Sequence, residues 1–226
     1  MEQFLAYLDV GFHHIIDVKG YDHILFVLVL CAAYEPKDYK KLLILATAFT
    51  LGHSVTLALA TLNIIKINAD FIEMLIPITI MITAVFNYFD KQQKPPLTLP
   101  KQEGNKTPFL LKEGFGVVKA PLLPKEGLGV VHIRLRYFLA LFFGLIHGLG
   151  FSNFLRSLLL ESKTLFVPLL AFNAGLEIGQ LLIIAVLLLF CFIFVKILKM
   201  PLREWLLFLS GGAFFVAATI ILGKIT

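Results

Sequence analysis

The chain has 226 residues, of which 58% are hydrophobic and 22 are phenylalanine, and its mean hydropathy is +0.87. Soluble domains are about 45–50% apolar, so this composition excludes an ordinary soluble domain and predicts a membrane protein. The formal charge of +5 is explained by loop lysines that set membrane topology, and no nucleic-acid partner is expected. Only two cysteines occur, both inside apolar runs, which excludes a disulfide framework or a CxxC metal motif.

The start of the chain carries an unusual polar stretch before its first apolar run. The opening residues, MEQFLAYLD, lack the basic start and apolar centre of a cleavable signal peptide, so none is expected. Residues 3–18 predict a short interfacial or re-entrant helix. The first span is predicted to begin at Asp22, although only residues 24–34 are uninterrupted and apolar. Because crossing the hydrocarbon takes about 20 residues, the polar residues before this run must also lie at membrane depth, shielded by helices or facing water.

Further apolar stretches predict the remaining spans. They are residues 41–62, 69–89, 136–159, 164–195 and 202–223. The sequence therefore predicts an all-α integral membrane protein of about six spans, with three in an N-terminal half (1–89) and three in a C-terminal half (136–226). Between the halves, residues 90–135 are rich in Lys, Pro and Gly and contain an imperfect repeat, LLKEGFGVV followed by LLPKEGLGVV. This segment predicts a flexible, basic, cytoplasmic linker.

The placement of lysine and arginine predicts the orientation in the membrane. If the first span runs from outside to inside, the loops at 35–41, 90–136 and 196–204 hold three, nine and three Lys or Arg, against five on the other side. Cytoplasmic loops carry an excess of these residues. We therefore predict a multi-pass protein of a bacterial inner membrane, with both termini in the periplasm and residues 13–23 at the outer mouth.

Several ionisable side chains lie within the predicted spans, where each is costly unless it is paired, ligated or hydrated. His53, in TAFTLGHSVTLAL, is predicted near the middle of the second span, and His147, in FFGLIHGLGFSN, near the middle of the fourth. Asn173 and Glu177, in FNAGLEIGQ, share one face of the fifth span. Glu73 begins the third span. A single intramembrane histidine is equally typical of a hydrogen bond between helices, so each residue alone supports two interpretations.

Taken together, these side chains form a set of nitrogen and oxygen ligands. The set from the residues alone is Asp22, His23, His53, Glu73, His147 and Glu177. Imidazole with carboxylate suits divalent nickel, cobalt, zinc or copper, and the absence of thiolate pairs disfavours copper(I). Ligands at successive depths suit passage of an ion, because each station must both bind and release it. The pattern predicts a protein that handles a transition-metal ion, as substrate or as bound ion.

Four motifs, GFHHI…KGYDHILF, TAFTLGHSVTL, FGLIHGLGF and FNAGLEIGQ, resemble in order and spacing those of the HupE/UreJ family of bacterial membrane proteins. The resemblance covers the chain except residues 90–135. It implies a permease for nickel or a related transition metal, with metalloenzyme maturation proteins of hydrogenases or ureases as partners beside the lipid bilayer. The family's N-terminal His…Asp-His element, implicated in metal uptake, maps onto His14 (or His13), Asp22 and His23.

One spacing departs from the hydrogenase-linked members of that family. Seven residues separate His14 from Asp22, where five are expected, and the insertion carries Asp17. It is therefore open whether His14 or Asp17 completes the site, and nickel is the favoured metal among several. The predicted metal ligands are His14, Asp22, His23, His53, His147 and Glu177, with His13, Asp17, Glu73 and Asn173 as secondary members.

Three functions stand as hypotheses at this point. The main one is import of a divalent transition-metal cation without ATP hydrolysis, since no GxxxxGK[ST] motif occurs. At −100 mV a dication gains about 4.6 kcal/mol on moving inward, twice the value for a unit charge. The second is an intramembrane metal-dependent hydrolase that uses a metal-bound water. The third is a structural or accessory membrane protein of metalloenzyme assembly, in which the polar groups only join helices.

Overall fold

The computed structural model describes residues 1–18, 20–65, 67–89, 125–159 and 166–225, and every regular element in this part of the chain is helical. The α-helices are α1 (Glu2–Ile16), α2 (Asp22–Cys31), α3 (Tyr39–Thr61), α4 (Ala69–Phe89), α5 (Lys125–Gly150), α6 (Ser152–Leu159), α7 (Phe166–Cys191) and α8 (Leu202–Ile225). A 3-10 turn (Pro36–Asp38) precedes α3, and a π-helical segment (Phe192–Ile197) continues α7.

Long apolar helices dominate the described residues. Four stretches are long and apolar enough to cross a membrane: Pro36–Thr61, Ala69–Phe89, Phe166–Ile197 and Leu202–Lys224. The ten-residue α2 is apolar but shorter. These helices agree with the predicted all-α membrane protein, while the count of six spans and the division into halves remain predictions.

The predicted span 136–159 is not one helix. α5 ends at Gly150, and α6 begins at Ser152 after a turn at Phe151. Glycine is a poor helix former, and the Ser152 hydroxyl donates a hydrogen bond of 2.8 Å to the Leu149 carbonyl at the break. In the other direction α5 extends back to Lys125, inside the segment 90–135. Residues 90–124, and with them most of the predicted linker, lie outside the described residues.

Close backbone contact joins α3 to α5 along their length. A Cβ atom added at Gly52 would collide with the Leu141 carbonyl, and one added at Gly148 would collide with the His53 carbonyl. Small residues let two helix backbones approach in this way. The glycines around His147 therefore set the distance between the helices that carry His53 and His147.

The chain start forms a helix that packs on α7. Gly11 lies against the backbone of Phe172, and Gly175 lies against the backbone of Leu8. The predicted short helix at residues 3–18 is thus present as α1, and it is seated on the first half of a long apolar helix. The third extensive pair is α4 with α8. All three pairs join an element before residue 90 to an element after residue 124.

Candidate metal site

Four of the predicted ligand residues come from four different helices and form one group, which we call the histidine cluster: His14, His23, His53 and His147. Their ring centroids lie 4.6 Å (His14–His23), 5.0 Å (His23–His147), 5.9 Å (His14–His53) and 6.0 Å (His23–His53) apart. The sequence suggested separate stations at different depths. The structure brings them together, and because α5 ends at Gly150, His147 lies one turn from the C-terminal end of its helix rather than at mid-span.

Buried ring nitrogens without a hydrogen-bond partner distinguish this cluster. Among the described residues they are Nε2 of His14 and of His23, both ring nitrogens of His53, and Nδ1 of His147. His53 and His147 are fully buried, and His23 is 5% exposed. A buried polar atom without a partner is costly and calls for an explanation. Because a neutral imidazole has one lone pair, the four rings offer at most four ligand nitrogens, a set suited to a cation.

Asp22 determines which nitrogen His23 offers. Its carboxylate oxygen Oδ1 accepts a hydrogen bond of 2.9 Å from the His23 backbone N–H and lies 3.0 Å from Nδ1 of the same residue. A carboxylate at Nδ1 favours the proton there and leaves the lone pair on Nε2. Histidines that bind metals are commonly oriented by a carboxylate in this way. Asp22 therefore orients His23, whose buried Nε2 keeps a lone pair that can bind a cation.

Several ring separations within the cluster are short enough for two imidazoles to share one ion. Because metal–imidazole bonds are about 2.0–2.1 Å long, two imidazoles on one ion have centroids no more than roughly 6 Å apart. The three separations among His14, His23 and His53, and the separation of His23 from His147, fall within that limit. In the described part of the chain, however, no three His, Cys, Asp or Glu side chains already stand so that they could hold a metal ion together.

A cavity of about 390 Å³ opens beside the cluster. The predicted ligand residues that line it are His14, Asp17, Asp22, His23 and Glu73. The last turn of α8 forms part of its wall, where Lys224 Nζ lies 2.6 Å from Glu73 Oε2. Among the described lining residues, three carboxylates thus face one ammonium group. The cavity is acidic and reaches two of the four histidines directly.

The opposite side of the cluster is closed by three phenylalanines, which we call the aromatic plug: Phe26, Phe49 and Phe143. All three are at most 3% exposed. The ring of Phe26 lies 4.9 Å from that of His147, 5.0 Å from Phe49 and 5.8 Å from Phe143. Phe49 in turn lies 5.3 Å from the ring of His147. The cluster is therefore open to the cavity on one side and covered by packed aromatic rings on the other.

The remaining predicted residues lie outside the cluster. His13 is exposed, and its Nδ1 lies 3.0 Å from the Asp9 carbonyl and 3.2 Å from the Asp9 carboxylate. His14, not His13, accompanies His23 despite the longer spacing in sequence. Glu177 accepts a hydrogen bond of 2.8 Å from Thr47 and does not line the cavity. Asn173 has a buried Oδ1 without a partner.

Sequence reasoning missed two features of the site. Thr79 of α4 has its hydroxyl 3.1 Å from Nε2 of His147. A threonine in an apolar span usually bonds only to its own helix, so no pattern marked it out. The aromatic plug was also missed, because three phenylalanines among 22 carry no signal until the helices are packed.

The fold and the site together define a class: an α-helical membrane protein with a buried histidine cluster beside an acidic cavity. A family model described as HupE / UreJ protein matches residues 1–118 and 123–223, so the chain belongs to the HupE/UreJ family. This confirms the resemblance given by the four motifs, and the match extends into residues 90–118, which the motifs had left out. No curated protein and no solved structure was found to match the chain.

Proposed function

We propose that this protein imports a divalent transition-metal cation, with nickel favoured and cobalt, zinc or copper as the alternatives. The single observation that carries the proposal is the histidine cluster, whose five unpartnered buried nitrogens lie between an acidic cavity and an aromatic plug. Membership of the HupE/UreJ family supports the same class of substrate.

The first step is capture from the cavity. Asp17, Asp22 and Glu73 outnumber Lys224 among the charged residues that line it, and an excess of negative charge in a cleft raises the local concentration of cations. A hydrated dication is therefore concentrated at the mouth. In this role Asp17 attracts the ion into the cavity, and His14 remains the ligand within the histidine cluster.

The second step is transfer onto imidazole. His14 and His23 line the cavity and also contact each other, so the ion meets them first. Rotation of the rings about their side-chain torsions brings their free nitrogens onto the ion, and then those of His53 and His147. Because these neutral ligands add no charge, the ion is bound strongly enough to leave water and weakly enough to move on.

The third step is passage beyond the plug. Thr47 of α3 donates a hydrogen bond to Glu177 of α7, and Asn173 lies one turn earlier on α7. Thr47 precedes Phe49 in α3, so the hydrogen-bonded pair of Thr47 and Glu177 lies on the side of the plug away from the cavity. We assign Glu177 as the exit ligand. Asn173 adjoins Phe172, whose ring contacts those of His14 and His53, so we assign it as an oxygen donor beside the cluster.

The driving force needs no nucleotide. With both termini in the periplasm of a bacterial inner membrane, the cavity faces outward, and the membrane potential draws a dication inward by about 4.6 kcal/mol per 100 mV. Metalloenzyme maturation proteins in the cytoplasm would then take up the ion and maintain the gradient.

The test is metal uptake by proteoliposomes that contain a metal-sensitive dye. Wild type is expected to admit nickel or another first-row dication, whereas His23→Ala and His14→Ala lose at least nine-tenths of the rate. His13→Ala is the matched control, since this neighbouring histidine is exposed and bonds to Asp9, and it should keep the wild-type rate.

Two outcomes would contradict the proposal. Wild-type flux no faster than that of empty liposomes for every first-row dication would overturn it. A metal that stays bound without exchange, with an open coordination position, would instead favour the hydrolase hypothesis.

A further inference from the structure

The hydroxyl of Thr79 lies between two groups and has only one proton to give. Thr79 is 2% exposed. Its Oγ1 lies 2.7 Å from the carbonyl oxygen of Ile76, one turn earlier in α4, and 3.1 Å from Nε2 of His147 in α5. A carbonyl oxygen can only accept a hydrogen bond, and a threonine hydroxyl carries a single donor proton. The bond to Ile76 therefore uses that proton.

The direction of the second bond follows. With its proton donated to Ile76, the Thr79 oxygen can only accept from His147, so Nε2 of His147 must carry the ring proton. A neutral imidazole has one protonated nitrogen, which leaves the lone pair on Nδ1. This Nδ1 is the atom of His147 that is buried without a hydrogen-bond partner.

The two histidines at the centre of the cluster thus receive opposite tautomers from their neighbours. Asp22 holds the proton of His23 on Nδ1 and frees Nε2, whereas Thr79 holds the proton of His147 on Nε2 and frees Nδ1. The ring centroids of these histidines are 5.0 Å apart. Without Thr79, His147 could protonate either nitrogen, and one of the two tautomers offers no lone pair at Nδ1.

We propose that Thr79 is a positioning residue that fixes His147 in the Nε2–H tautomer and so presents the Nδ1 lone pair to the transported cation. That a transported cation binds this lone pair rests on the proposed function, but the tautomer of His147 does not. Thr83 provides an internal comparison. It is also a buried threonine of α4, 4% exposed, and it donates to the carbonyl of Thr79.

The first measurement needs no metal. Nitrogen-15 and carbon-13 NMR of histidine-labelled protein distinguishes the two neutral tautomers, and His147→Gln assigns the signals of His147 by their loss. Wild type is expected to show His147 with the proton on Nε2. Thr79→Ser should keep this spectrum, and Thr79→Val, which is nearly the same size, should convert His147 to a mixture. Thr83→Val should leave His147 unchanged.

The second measurement is calorimetric titration of the detergent-solubilised protein with Ni²⁺. Loss of a residue that orients a metal-binding histidine typically costs about 10–100-fold in affinity. Thr79→Val should weaken binding by at least about tenfold, whereas Thr79→Ser and Thr83→Val stay within about twofold of wild type.

The outcomes separate the two proposals. A wild-type His147 with its proton on Nδ1, or a Thr79→Val variant with wild-type tautomer and affinity, would overturn the role of Thr79. Equal weakening by Thr83→Val would show a packing effect and would also overturn it. If the wild type has the expected tautomer but binds no first-row dication, the positioning of His147 stands and the transport proposal fails.

Discussion

The two sides of the histidine cluster differ sharply in character although α2 and α5 contribute residues to both. On one side lies an acidic cavity of about 390 Å³, and on the other lies the aromatic plug. The pairing is local in sequence: His23 with Phe26 on α2, His53 with Phe49 on α3, and His147 with Phe143 on α5. Residues three or four apart share a helix face, so each helix presents one histidine and one phenylalanine in adjacent turns.

The helices α2, α3 and α5 thus each carry both a candidate metal ligand and a ring of the aromatic plug. His14 and His23 line the cavity, and the phenylalanines one turn further in exclude water. A narrow apolar constriction stops ions by staying dry. The present conformation is therefore accessible from the cavity side and closed on the other, and the following variants are chosen to weaken one side at a time.

The largest effect is expected when the barrier is removed by Phe49→Ala. The side chain is 1% exposed and contacts Phe26, His53 and His147. Its loss leaves a cavity next to the cluster and should lower the free energy of unfolding by about 3 kcal/mol. Water then reaches past the histidines, so a sodium or proton leak should appear in dye-loaded vesicles.

The matched control for this variant is Phe208→Ala, since Phe208 lies on α8 and is 71% exposed. It should leak no more than wild type. A folded Phe49→Ala protein without any leak would show that the barrier lies elsewhere.

A smaller loss of stability, which affects the cavity side and the aromatic plug together, is expected for Gly148→Ala. The added Cβ would collide with the His53 carbonyl and the Thr56 hydroxyl, which forces α3 and α5 apart. Overpacking of this kind costs about 1–3 kcal/mol. Thermal unfolding in detergent should show a lower Tm, together with reduced uptake. Gly212→Ala is the control, because nothing lies within 4 Å of the added atom. Equal stability of the two variants would argue against close α3–α5 contact.

The cavity side alone is tested by Lys224→Gln. Lys224 places an ammonium group in the cavity wall and pairs with Glu73. Its removal frees the Glu73 carboxylate and removes the repulsion between the ammonium group and an incoming Ni²⁺ ion. Ni²⁺ binding should therefore tighten by about tenfold, since even solvent-screened charges a few ångström apart interact at about this level. The KM for uptake should fall accordingly. Lys40→Gln removes the same charge from the start of α3, away from the cavity, and should change neither the Ni²⁺ affinity nor the KM. Unchanged binding in Lys224→Gln would contradict this assignment.

The smallest effect is expected far from the cavity, at Glu35, which precedes α3. Its carboxylate oxygens lie 2.9 Å from Lys37 Nζ and 2.9 Å from Lys196 Nζ. The hydrogen bonds from these lysines hold the pKa of Glu35 below its ordinary value of 4.5. Such a group stabilises the fold above its unfolded pKa, and the contribution is lost as the pH falls through the lowered pKa.

Glu35→Gln should therefore lower stability by about 0.2–1 kcal/mol at pH 7. The difference in Tm from wild type should shrink as the pH is lowered below 4.5. Ni²⁺ affinity at pH 7 should stay at the wild-type value. A change in that affinity would mean that the two ends of the protein are coupled.

The sequence was most informative where composition and periodicity decide the outcome. Apolar runs predicted most of the helices, and four motifs predicted the family. The four residues of the histidine cluster were all named beforehand, because an ionisable group in an apolar run stands out. Their joint arrangement could not be predicted, since it depends on how four helices cross. The break after Gly150 also moved His147 from mid-span to a helix end.

What escaped prediction depends on contacts between helices. Thr79 and Thr83 look alike in sequence, and only the approach of α5 separates their roles. Whether His13 or His14 joins His23 depends on how α1 is seated on α7, where Gly11 meets the backbone of Phe172. Sequence periodicity predicts a buried face of a helix but not the neighbour that covers it.

The three extensive helix pairs bear on how the protein is made. Each joins an element before residue 90 to one after residue 124. Because a chain is synthesised from its N-terminus, α1, α3 and α4 are made before α7, α5 and α8 exist. His53 is then a polar residue in a helix still without its main partner. Assembly is therefore a late event in biogenesis, and a gene cut between codons 89 and 125 should yield a stable protein only when both fragments are produced in the same cell.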